Sequence, residues 1–134
     1  VAQQRYLQTL LASGILGSGA GRTFTLSNSG PALLNVVRVN LTTTATAGNR
    51  LLKLRVLDSA NNVLYEFIDG NAVAAGGGAG INWAAGVAPA ISGITHAVPL
   101  PANFMIPVGA QINIFDSAGV DVNDTITAQV SMAL

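Results

Sequence analysis

Apolar and polar residues alternate one by one in successive short runs of this sequence. A period of two places alternate side chains on opposite faces of a strand, so the pattern calls for β-structure. Phe24 and Leu26 alternate with Thr23, Thr25 and Ser27, and Val37, Val39 and Leu41 with Arg38, Asn40 and Thr42. Leu52, Leu54 and Val56 alternate with Lys53 and Arg55, and Val63, Tyr65 and Phe67 with Glu66. Ile112 and Ile114 follow the same rule, and Ile126, Ala128, Val130 and Met132 give the cleanest half-buried strand. Turn residues separate these runs. Asp58 to Asn62 reads as a hairpin loop, because Asp and Asn side chains bond nearby backbone. Ser29-Gly30-Pro31, Ala47-Gly48-Asn49, Pro107 to Ala110 and Ser117-Ala118-Gly119 do similar work. About seven to nine short strands at this spacing predict an all-β fold. The expected form is an antiparallel β-sandwich, jelly-roll-like, over residues 21–134.

Two segments depart from the alternation. Tyr6, Leu7, Leu10 and Leu11 recur at helical spacing, and Gly14 stands where a glycine ends helices. Residues 1–20 are therefore read as a short N-terminal helical arm and linker. Such a helix is marginal alone, so it needs a docking surface on its own domain or on a neighbouring subunit. The second segment runs from Asp69 to Ala90 and is rich in Gly and Ala, with Gly76, Gly77 and Gly78 at its centre. It reads as a long loop, mobile or ordered by contact with something else. Its Trp83, the single tryptophan, either plugs the core or anchors an interface.

The chemistry scan returns no enzyme. His96 is the single histidine and lies in a strand-like run with Ile94 and Val98, which suits a hydrogen-bonded, half-buried side chain. No nucleophile elbow occurs, and Gly76 to Gly80 lacks the Lys and Ser/Thr of a phosphate loop. Asp116, Asp121 and Asp124 fail the EF-hand spacing and read as turn residues, with a loop cation as the alternative. There is no cysteine, so disulfides and thiolate metal sites are excluded. No cofactor is expected.

Charge is the scarcest property of the chain. Six Lys and Arg balance six Asp and Glu among 134 residues, only 9% charged, while half the residues are apolar. A folded monomer of this mass exposes roughly 6,600 Å². That leaves one charge per about 550 Å², sparse for a protein that must stay dispersed alone. The expectation is a surface meant to be covered by copies of itself or by a larger partner. Without a basic excess no nucleic acid is expected. No apolar run reaches the length of a membrane span, and no small-molecule ligand is expected. The opening Val1 to Arg5 lacks the order of a signal peptide. Leu51, Leu57, Leu64 and Ile68 form a second, outward apolar set that one small sandwich cannot cover. Tyr6, Leu7, Leu10, Leu11, Leu51, Leu57, Leu64 and Trp83 are thus the candidate interface residues.

Five stretches share a distinctive wording: Asn49-Arg50-Leu51-Leu52-Lys53-Leu54-Arg55-Val56, Asp58 to Glu66, Val98-Pro99-Leu100-Pro101, Met105-Ile106-Pro107-Val108-Gly109 and Val120 to Ile126. Through them residues 34 to 134 resemble small β-sandwich virion proteins of tailed bacteriophages. The resemblance implies a capsid decoration or cement protein on the outer surface of the capsid. It would be made in the bacterial host cytoplasm and act as a homotrimer that bridges units of the major capsid protein. A tail, connector or fibre subunit and a carbohydrate-binding module are the alternatives.

Overall fold

The computed structural model describes residues 6–17, 21–26, 28 and 30–133, with side chains from residue 14 onward. The strands in chain order are β1 (Tyr6–Ile15), β2 (Gly21–Thr25), β3 (Ala32–Thr42), β4 (Leu52–Leu57) and β5 (Val63–Ile68). They continue with β6 (Gly78–Ala85), β7 (Ala90–Ser92), β8 (Thr95–Leu100), β9 (Met105–Ile106), β10 (Gln111–Asp116) and β11 (Thr125–Ala133). They form two sheets. The larger runs β1-β11-β3-β6-β8-β7, with β9 also paired to β3, and the smaller runs β2-β10-β4-β5. All pairs are antiparallel except β6 with β8. The β-sandwich expected from the alternation is the fold that forms.

The core follows from that alternation. Leu52, Leu54 and Val56 of β4 and Ile112 and Ile114 of β10 are fully buried on the inner face of the smaller sheet. Val37, Val39, Ile81, Trp83, Ala128 and Val130 face them from the larger sheet and are also fully buried or nearly so. Phe104, from the turn before β9, packs edge-on to Tyr65 and Phe67 at the margin of the core.

Two sequence expectations are corrected. The N-terminal helical arm is a strand: Tyr6–Ile15 pairs antiparallel with β11, Leu7 opposite Met132 and Thr9 opposite Val130. The register shifts between Leu10 and Ala12, so Leu11 is an extra residue. A bulge breaks period two locally, and before it Tyr6, Leu7 and Leu10 place apolar residues on both faces of the strand's backbone pattern, a spacing that a helix shares. The Gly/Ala stretch is not one long loop, because it contains β6, which pairs with β3 on one side and β8 on the other. Glycine is required there. A Cβ at Gly78 would lie 2.5 Å from the carbonyl oxygen of Leu41.

Candidate assembly surface

Polar side chains first fix the loops that frame the sheets. Arg50, with no exposed surface, donates from Nε to Asp124 Oδ2 at 2.8 Å and from Nη1 to the carbonyls of Thr46 and Gly48 at 2.9 and 2.7 Å. The Asp124 bond raises the guanidinium above its ordinary value. Asp124 also accepts the Thr44 amide at 2.8 Å. Asp121 accepts the hydroxyls of Thr44 and Thr46, and these bonds with the Asn123 amide lower its carboxyl to about 2. Asp116 accepts the amides of Leu51, Ala118 and Val120. All three carboxylates named as a possible cation site are thus engaged by protein donors. Among the described residues no three His, Asp or Glu side chains converge.

His96 and Asp69 form a second buried link. His96 Nδ1 lies 2.5 Å from Asp69 Oδ2, joining β8 of the larger sheet to the residue after β5 of the smaller one. Both side chains are nearly without exposure. The pair ties the two sheets together.

The interface candidates separate. Trp83 is fully buried on β6 and belongs to the core of the subunit, not to an interface. Leu51 and Leu57 are half-buried at opposite ends of β4, and Leu64 is 41% exposed on β5. Tyr6, Leu7, Leu10 and Leu11 lie in β1 by backbone pairing, and their side chains fall outside the described residues. In the hairpin Leu57 stands opposite Val63, and Leu64 is the residue that the register shift leaves unpaired.

What the sequence did not single out is the whole of β5 as an uncovered strand. Val63, Tyr65 and Ile68 are 48%, 48% and 56% exposed. Tyr65 and Phe67 stand opposite Val56 and Leu54, on the inner face. Tyr65 is exposed because β5 is the last strand of its sheet, and alternation cannot tell an edge from a centre.

The charges nearest this edge are spent within the sheet. Glu66 pairs with Lys53 Nζ at 3.1 Å and accepts from Arg55 Nε at 2.8 Å. Lys53, then Arg55, holds the Glu66 carboxyl below its usual range. Lys53 and Arg55 also cover the Phe115 ring, Arg55 Cζ standing 4.4 Å from its centroid. On the outer face of the smaller sheet one carboxylate thus holds two cations.

No protein-family model and no curated protein matches the sequence. Among solved structures, a chain of the infectious bursal disease virus Gx strain matches with a TM-score of 0.48 and 13% identity, over 99% of this chain and 33% of that one. The T13 particle of the same virus matches at 0.48 and 12%, over 99% and 31%. A carbohydrate binding module from the glycoside hydrolase family 9 protein Cel9A of Ruminococcus flavefaciens FD-1 matches at 0.47 and 17%, over 99% and 98%. The chain spans about a third of the length of the viral chains it matches. Likenesses of this strength decide nothing about function.

Proposed function

We propose that this chain is a non-enzymatic structural component of a bacteriophage particle, a decoration or cement subunit that works as an oligomer on the capsid exterior. One observation carries the reading: the surface is poor in charge and rich in uncovered apolar side chains. Of the twelve formal charges, Arg50, Asp69, Asp116 and Asp124 are buried. The remainder are spread over a chain whose accessible surface is 6682 Å². Val63, Leu64, Tyr65, Ile68, Ile91, Ile94, Met105, Val108 and Val122 are all more than 40% exposed. Surfaces of this kind are covered in the working state. The wording shared with phage virion sandwiches supports the particle, and the major capsid protein is the partner it implies.

A rigid sandwich that bridges neighbouring units adds contact area across a shell seam. Each contact can be small, because many copies act together. A carbohydrate-binding surface would need exposed aromatic rings, for which Trp83 and Tyr65 are the candidates. With Trp83 in the core, Tyr65 is the one large exposed aromatic among the described residues, and sugar platforms commonly present several such rings.

Light scattering coupled to size exclusion tests the oligomer. The expected species is a trimer near three times 13.6 kDa, followed by binding of that species to purified capsids. A monomer that persists at high concentration and ignores capsids overturns the reading.

A further inference from the structure

We propose that a second copy of this chain adds its own β5 to the β5 edge, antiparallel, about a two-fold axis at Phe67. The two small sheets then run on as one. The inference rests on the assembly reading above and names one of its contacts, distinct from any contact that closes a trimer.

Backbone geometry shows which groups are free. The Asp69 amide donates to the Leu52 carbonyl at 3.0 Å. In the same register Leu54 stands opposite Phe67, and Val56 opposite Tyr65. Bonded and non-bonded pairs alternate along an antiparallel ladder. Phe67 and Tyr65 therefore bond inwards to β4. The N–H and C=O groups of Glu66 and Ile68 point the other way, to an edge that no strand of the sheet covers.

Nothing on that edge repels another strand. Natural edges are blunted by proline, by lysine or by bulges. β5 contains neither proline nor lysine. Its single register shift, at Leu64, lies before the Glu66–Ile68 segment. Glu66, its one charge, is already held by Lys53 and Arg55. The strand therefore favours a mostly apolar segment, and its own residues, apolar but for Glu66, are one.

Charge also chooses the register. Glu66 opposite Glu66 sets like charges face to face, which is destabilising. The neighbouring register sets Glu66 of each copy opposite Ile68 of the other, with Phe67 opposite Phe67. Both members of each Glu66–Ile68 pair then have outward backbone groups, and each pair exchanges both bonds. Glu66 of the second copy falls in one cross-strand row with Ile68 and Lys53 of the first, since Lys53 stands opposite Ile68. On the inner side, a cleft of about 470 Å³ lies between the end of β5 and Pro89, Val98 and Pro99. It gives room for the apolar ring of the incoming strand.

The test uses the full chain over a concentration series, with mass by light scattering and exchange of single amides by NMR. The expected result is that the mass doubles and the Glu66 and Ile68 amides gain protection together. Ile68→Glu faces Lys53 favourably within its own sheet but Glu66 across the axis. It is expected to move the doubling to at least about tenfold higher concentration. Ile68→Gln, which adds no charge, checks that any loss is not unfolding. The proposal is overturned if the mass doubles while both amides exchange freely, if Ile68→Glu doubles as the parent does, or if no doubling occurs. A trimer without edge protection leaves the assembly reading intact and removes this contact. Edge protection in a species that is only a dimer does the reverse for the trimer.

Discussion

Arg50 shows how one side chain ties two loops together. It is completely buried and bonded through Nε and Nη2 to Asp124, while Nη1 meets the carbonyls of Thr46 and Gly48 and Nη2 also reaches the Thr44 hydroxyl. Arg50→Ala leaves Asp124 a buried carboxylate without its cation. The expected loss is about 3–5 kcal/mol, read as a lower urea midpoint with an unchanged slope. Asp121 gives a pH dependence. Its folded value, about 2, lies below the ordinary 3.8. The stability it contributes is full above that ordinary value and is lost as pH falls through the folded one. Asp121→Asn should flatten the decline in thermal midpoint over that acid range, and an unchanged decline would assign it to other carboxylates. Trp83 has 0% exposure and no hydrogen-bond partner for its Nε1–H. Its fluorescence should be blue-shifted, shielded from acrylamide, and the same before and after self-association. A change on association would return Trp83 to the interface. The sequence offered both positions for this side chain. Packing chose, because β6 is central and its inner face meets the other sheet.

At the scale of the element, β6 is the strand that composition hid. Gly and Ala carry little strand propensity, so Asp69 to Ala90 reads as loop. The segment is held instead by neighbours on both sides and by how closely a bare backbone can approach β3. Gly78→Ala would press a Cβ against the Leu41 carbonyl. The expected cost is about 1–3 kcal/mol. Gly77→Ala, with nothing within 4 Å of its added Cβ, should stay within about 0.5 kcal/mol of the parent. Thermal unfolding of the two variants side by side checks the close approach, and equal losses would refute it. β1 was hidden differently. Tyr6, Leu7 and Leu10 do not alternate, and one extra residue at Leu11 shifts the pattern further out of period.

For the whole molecule, the partition of charge sets how it associates. With four of its twelve charges buried and three more paired on one sheet, association should depend weakly on ionic strength and strengthen in sulfate, which favours apolar burial. Sedimentation in low salt, high chloride and sulfate checks this, and assembly that dissolves in chloride would mean that ion pairs hold it. By itself the sequence determined the strand runs β3, β4, β10 and β11, their inner faces and the hairpin at Asp58. These depend on periodicity and turn chemistry, which are local. It also determined the scarcity of charge. The tertiary structure alone decided which strand lies at an edge, because burial at the end of a sheet depends on neighbours that are distant in sequence. That is why Val63 and Tyr65, which alternate like core residues, are exposed, and why Arg50, a cation next to a turn, is completely buried.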